Sequence, residues 1–234
     1  MLQVCVWALD QALSKQSVYE KAHVVVIDNA SPVPLTCNEW DFVDDLVRFD
    51  SHHSFSYCVN AGAARYPQDD LLLLNNDCFP HPDVVQKMAD CLTDDLVGIV
   101  GARLVFPDGT LQHDGVAQYP AGPGHLGYLQ PPFSGPTVTY PTAVTGALML
   151  IRRQAFDEVG GFDERYEFGS EDIDFCHRVR QSGWRIACER SVESVHFESS
   201  TPGRIERDAP SRQTYLSTWA SRVTHEFHER DDHV

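Results

Sequence analysis

No two cysteines in this 234-residue sequence are spaced Cys-x-x-Cys, and the seven present (Cys5, Cys37, Cys58, Cys78, Cys91, Cys176, Cys188) are scattered and odd in number. That argues against a disulfide framework and a cysteine-bound zinc site, and for reduced, mostly buried thiols. No apolar run approaches the ~20 residues that span a bilayer. Met1 to Asp10 has no basic region ahead of its apolar residues and does not read as a secretory signal. Positive charge is scarce: 18 basic residues face 34 acidic ones, a formal charge of −16. The basic residues lie singly or in pairs such as Arg152-Arg153, so no basic patch offers nucleic acid or anionic lipid a surface. Internal repeats, low-complexity segments and a Ser/His/Asp or Cys/His arrangement are missing too. A soluble, cytoplasmic protein is expected. Such an acidic chain can still bind a phosphorylated substrate if a divalent cation bridges the two.

What is present is the length for one domain with a real core, and an alternation of strand and helix patterns. Helical spacing covers Leu2–Gln16, Ser54–Arg65, Pro82–Leu92, Arg153–Val159, Glu171–Ser182 and Pro210–His228. Strand patterns cover His23–Ile27, Leu46–Phe49, Leu71–Leu74, Val97–Phe106, Ala147–Ile151, Trp184–Cys188 and Val192–His196. Several are apolar at every position, as strands buried on both faces are. The stretch from Gln112 to Pro141 is rich in Gly and Pro, and a loop of that length is usually functional or mobile. The pattern predicts an α/β domain with a mostly parallel sheet flanked by helices, whose ligands bind beyond the carboxyl ends of the strands.

Asp28, Asp77 and His196 each sit at such an end. Asp28 either caps the loop after its strand or accepts a hydrogen bond from a nucleobase or ribose. Asp77 closes Asn75-Asn76-Asp77 after four leucines, where a carboxylate can hold Mg²⁺ or Mn²⁺. His196 gains weight as a metal ligand only in company with Asp77. Glu171, Asp172 and Asp174 open a helix behind Gly169-Ser170, and three carboxylates in four positions exceed what capping needs. Asp172 is the expected general base, with Glu171 the second choice. Asp174 has a structural alternative in pairing with Arg178 one turn later. His113 and His125 read as solvated or substrate-side.

Together these segments resemble glycosyltransferase family 2, which has the GT-A fold. The matching stretches are Val24–Ser31, Asn60-Ala61-Gly62, Leu71–Asp77, Gly98–Leu104, Pro107–Gln112 and Thr145-Gly146-Ala147. The densest block runs from Gly160-Gly161-Phe162-Asp163-Glu164 through Glu171–Cys176 to Gly183-Trp184. The likeness is greatest to the bacterial branch that builds rhamnose-containing and other surface polysaccharides. It implies a metal-dependent, inverting transfer of a hexosyl or deoxyhexosyl group from a nucleotide-diphosphate sugar to a hydroxyl of a glycan or lipid-linked acceptor. Asp28 would contact the base, and Asn75-Asn76-Asp77 would stand for the family's Asp-x-Asp motif. Asp77 and His196 would hold Mn²⁺ or Mg²⁺, Thr145-Gly146 would lie against the donor sugar, and Asp172 would be the base. Residues 1–105 would bind nucleotide, 106–200 would carry acceptor and catalysis, and a helix over 209–229 would close the domain. A lipid-linked acceptor would draw the protein to the cytoplasmic face of the membrane.

The resemblance departs at the start. Family members open with an apolar strand ending Pro-x-Tyr/His-Asn before the first helix, and that usual first strand is missing here. Loss of a central strand exposes backbone groups on both sides. The second expectation is therefore a catalytically silent GT-A-like domain that binds glycan or nucleotide, or scaffolds a partner.

Overall fold

A strand that is apolar at every position needs cover on each side, and two helical layers supply it. The computed structural model describes residues 1–14, 22–35, 40–119, 122–197 and 204–222. The chain opens with α1 (Leu2–Ser14), β1 (Val25–Asn29), β2 (Asp45–Phe49), α2 (Phe55–Ala63), β3 (Leu71–Leu74), β4 (Cys78–Phe79), α3 (Val84–Cys91) and β5 (Val97–Val105). Short strands follow: β6 (Leu111–His113), β7 (Val116–Tyr119), β8 (Gly122–His125) and β9 (Val138–Thr139). The last elements are β10 (Leu148–Ile151), α4 (Arg153–Glu158), α5 (Glu171–Gln181), β11 (Arg185–His196) and α6 (Arg204–Trp219). The expected ends of the first and last helices, at Gln16 and His228, lie outside the described residues.

The main sheet has seven strands in the order β3-β10-β5-β11-β4, with β6 beside β5 and β9 beside β11. Its apolar runs alternate between two cores. In β10, Met149 and Ile151 join Phe156, Phe162 and Phe175 under α4 and α5, while Leu148 and Leu150 join Ala12, Val84 and Met88 under α1 and α3. The leucines of β3 divide in the same way, Leu71 and Leu73 to one side and Leu72 and Leu74 to the other. The α/β architecture is as expected, but the sheet is mixed rather than mostly parallel. β10 runs antiparallel to both neighbours, and β5 and β11 are parallel. An apolar run reports burial on two faces and says nothing of strand direction, so this could not be read from pattern.

β1 and β2 pair in parallel as a separate two-stranded sheet. The division lies beside β3, the edge strand, whose leucines are only half-buried while every residue of β10 is buried. His23 joins the two parts, stacking on Tyr66 at 3.9 Å and pairing with Asp69 at 2.8 Å.

The Gly/Pro-rich stretch is not one loop. Its first part is built into the structure as β6 and the β7–β8 hairpin, and Gln112 to Gln118 are all buried. A strand reading Gly122-Pro123-Gly124-His125 has no alternation for a pattern search to find. The two strands expected between Trp184 and His196 are one, β11, with a register shift between Glu189 and Ser194. Helix α6 begins before Pro210 rather than at it. It docks on α5, where Trp219 Nε1 donates to Asp174 Oδ1 at 2.7 Å.

Among the described residues no helix is long and apolar enough to cross a membrane. Gly101 in β5 lets Val144 pack close over the strand, since a Cβ there would lie 2.5 Å from Val144 Cβ. Gly101→Ala should cost about 1–3 kcal/mol in urea unfolding through overpacking, and adding Val144→Ala should recover part of the loss.

Candidate active site

Strand β3 ends at Leu74, and the chain turns at once, the Cys78 amide donating to Asn75 O at 3.0 Å. The turn throws Asp77 out at the mouth of the sheet. Strand β4 then runs antiparallel to the end of β11 with His196 opposite Cys78, and the Phe197 amide donates to Asp77 O at 3.0 Å. These backbone bonds bring His196 Nε2 to 3.2 Å from Asp77 Oδ1 although the residues are 119 apart in sequence. His196 is buried, and Asp77 is partly open. On its other side the ring meets Gln112, with Nδ1 3.2 Å from Oε1.

An imidazole nitrogen converging with a carboxylate oxygen is a donor set that suits Mn²⁺ or Mg²⁺. Among the described residues no group of three His, Cys, Asp or Glu side chains is placed to enclose a metal. A cation held here would draw its other ligands from water or substrate oxygens, as Mg²⁺ at phosphate sites does. Asn76 is exposed beside Asp77, and the Asn75 amide donates to Ala147 O at 2.9 Å. Cys5 on α1 donates to Asn75 O. Its burial and the charge of Asp77 push the thiol up to about 12, so it stays protonated.

The Asn75–Ala147 bond carries the site to its second half. Helix α5 starts where Gly169 and Ser170 take φ of 82° and 67°, the left-handed region that turns a chain sharply into a helix. Asp172, in the first turn, accepts at Oδ2 from the Gly146 amide at 2.9 Å and at Oδ1 from the Ile173 amide at 2.8 Å. Each carboxylate oxygen has a second lone pair, so the group can still accept a proton. Gly146 has no room for a larger residue without adjustment, because a Cβ would lie 3.2 Å from Phe55 and 3.5 Å from Asp172 Cβ. Glu171 is half-buried at the helix start. Asp174 follows its structural alternative: it binds Arg178 at 2.8 Å, Tyr166 at 3.1 Å and Trp219 at 2.7 Å.

Asp28 is buried at the end of β1, and its bonds run to its own loop and to β2. It accepts from the Ser31 amide at 2.9 Å, the Leu35 amide at 3.2 Å and Arg48 Nη1. Burial alone would raise its pKa, but hydrogen bonds from Ser31, Leu35 and Arg48 outweigh that and hold it at about 2. These contacts are those of the loop-capping alternative. The loop reaches the rest of the site through Asn29, which exchanges hydrogen bonds with the His53 backbone just ahead of Phe55.

Two residues given no such place by sequence pattern lie against this constellation. Gln112 backs His196, and His113, expected to be solvated or substrate-side, is fully buried. His113 Nε2 accepts from the Thr145 amide at 3.4 Å, and Nδ1 lies 2.8 Å from His125 Nδ1. Burial first, then the neighbouring rings of His125 and His196, hold its pKa well below the usual histidine value. It is a neutral support for the 145–147 segment. Gln112 ends one of the family-like stretches, which is the signal sequence offered; its partner was 84 residues away.

The family described as glycosyltransferase like family 2 matches residues 5–189. The chain is similar to the O-antigen biosynthesis protein RfbC of Myxococcus xanthus, 33% identical over 208 residues, covering 82% of this chain and 16% of that protein. It is 27% identical over 213 residues to a low-salt glycan biosynthesis hexosyltransferase of Haloferax volcanii, covering 83% of this chain and 64% of that one. Among solved structures, a mannosyltransferase of Pyrobaculum calidifontis in complex with GDP-Man and Mn²⁺ superposes with a TM-score of 0.64 at 16% identity, covering 96% of this chain and 62% of that one. The chain thus spans less than two thirds of the length of each of these proteins.

The Asp28 cluster yields a pH test. A carboxyl whose folded pKa is depressed from 3.8 to about 2 contributes stability that is present above its unfolded pKa and lost as pH falls through its folded one. Urea midpoints measured between about pH 4 and pH 2 should fall for the wild type and fall less steeply for Asp28→Asn, which starts lower at neutral pH.

Proposed function

This chain belongs to glycosyltransferase family 2 and has the GT-A fold, and from that premise we propose that it is a metal-dependent, inverting glycosyltransferase. Its donor is a nucleotide-diphosphate sugar, its acceptor a hydroxyl of a glycan or lipid-linked saccharide, and its product a step in glycan or surface-polysaccharide synthesis. The observation that carries this reading is the pairing of Asp77 with His196 within one hydrogen-bonded network that also holds Asp172 against Gly146. In this reading the protein works in the cytoplasm or at the cytoplasmic membrane face. Residues 1–105 serve nucleotide and 106–200 serve acceptor and chemistry, with α6 bracing α5 through Trp219.

Asp77 and His196 would hold Mn²⁺ or Mg²⁺. Bound there, the cation would neutralise the donor diphosphate and ease its departure. The protein's own residues do the rest. Asn75, Asn76, Thr145 and Gly146 line the donor sugar, and the loop held by Asp28 faces the base. Asp172, oriented by the Gly146 and Ile173 amides, takes the proton from the acceptor hydroxyl. That oxygen forms its bond to the anomeric carbon as the bond from that carbon to the diphosphate oxygen breaks, the electron pair leaving with the diphosphate. One displacement inverts the centre and needs no enzyme nucleophile. Glu171, one residue away, is the reserve base.

One observation favours the second reading, a silent domain that binds glycan or nucleotide or scaffolds a partner: β1 and β2 pair as a sheet separate from the seven-stranded one. Thermal-shift titration with UDP, dTDP and GDP, with and without Mn²⁺, separates the two. A transferase should show a rise with one nucleotide that requires both Mn²⁺ and Asp77 and is lost in Asp77→Ala, since a ligand stabilises the state it binds. Asp172→Asn should keep that rise while transfer or donor hydrolysis falls by about 10²–10⁴-fold. A nucleotide shift with no turnover in the wild type would establish the silent reading instead.

A further inference from the structure

Strand β6 pairs antiparallel with β5, Leu104 opposite His113 and Val105 opposite Leu111. One step along β5 therefore answers two along β6, and Gln112 is the extra residue of a bulge. Bulges of this kind re-aim a side chain, and they concentrate beside active sites. Here the bulge turns Gln112, itself only 2% exposed, across to the end of β11, where Oε1 lies 3.2 Å from His196 Nδ1.

An amide oxygen has no proton to give, so in this contact the Nδ1 proton must be on the ring. In that tautomer the lone pair of Nε2 faces Asp77 Oδ1, 3.2 Å away. Two acceptors at that distance repel unless positive charge lies between or on them. The opposite tautomer would let Nε2–H donate to Asp77, and it would consume the lone pair a cation needs while setting Nδ1 against Gln112 Oε1.

We propose that Gln112 is a positioning residue: by accepting from Nδ1–H it fixes His196 in the tautomer whose Nε2 is free to bind a divalent cation together with Asp77. This rests on the metal-dependent reading of the site. Gln112 meets the ring at the nitrogen away from Asp77, so it acts through the ring. Partners of a ligating histidine's remote nitrogen set tautomer and ring orientation in this way, and their loss costs about 10–100-fold in metal affinity. Sequence marks Gln112 only as the end of a family-like stretch, because its partner lies 84 residues away.

The test uses the whole chain in three forms: wild type, Gln112→Met, which keeps the length and loses the acceptor, and Gln112→Glu, which keeps the acceptor. Binding of Mn²⁺ alone is followed by electron paramagnetic resonance of the free ion, and ring ¹⁵N shifts of His196 are read without metal. We expect the Nδ1–H tautomer in the wild type and in Gln112→Glu, and its loss in Gln112→Met. Mn²⁺ affinity should fall about 10–100-fold in Gln112→Met and recover in Gln112→Glu to near the wild-type value. If the wild type binds Mn²⁺ and Gln112→Met binds it equally well, or if the wild-type ring carries its proton on Nε2, the inference is wrong and the metal site stands. If the wild type binds no Mn²⁺ while Asp77 and His196 are intact, the metal reading itself fails and takes this inference with it.

Discussion

The backbone pairing of β4 with the end of β11 is the constraint on which the site depends. Asp77 and His196 have no local reason to meet. They meet because His196 is held opposite Cys78 in that pair and because the Phe197 amide donates to the Asp77 carbonyl. β11 is in turn held along its length by β5, with Arg185 beside Val97 at one end and Val195 beside Val105 at the other. The position of one ring nitrogen is thus fixed by a ladder through the buried centre of the sheet. A side chain supported in this way keeps its place without ordering costs on binding.

The second half of the site is held by helix contacts. Asp174 gathers Arg178, Tyr166 and Trp219 and so clamps α5 between its own next turn and the C-terminal helix. Asp172, on the same first turn, is left to face Gly146. Two neighbouring carboxylates have different surroundings: one points into a ring of side-chain donors and the other accepts from two backbone amides.

The exposed part of the Gly/Pro-rich stretch is anchored as well. Arg103 and Arg190 share Asp114 and flank the ring of Phe133, with Arg103 also donating to Phe133 O. A buried ion cluster of this kind is costly to break once formed, because removing one partner leaves a charge without water. It ties the segment around Phe133 to β5 and β11, the same strands that place His196. In a chain with a formal charge of −16, two arginines are committed to this joint.

Much of the fold was legible in residue order. Runs such as Leu71–Leu74 and Leu148–Ile151 are apolar at each position because each residue goes to one of two cores, and that is a local property of composition. The helix start at Ser54 follows from a side chain that caps the Tyr57 amide, and the start at Gly169-Ser170 and the stop at Gly183 from backbone conformations that few residues adopt. The carboxylates at strand ends and at the start of α5 were visible for the same reason. Sequence could not give the direction of β10, the short strands between Leu111 and Thr139, or the bond that ties Asp28 to Arg48 on β2. Nor could it set Gln112 against His196 and His113 against Thr145. Those depend on which strand lies beside which, and strand neighbours are chosen by the total burial of the folded chain, which no segment contains by itself.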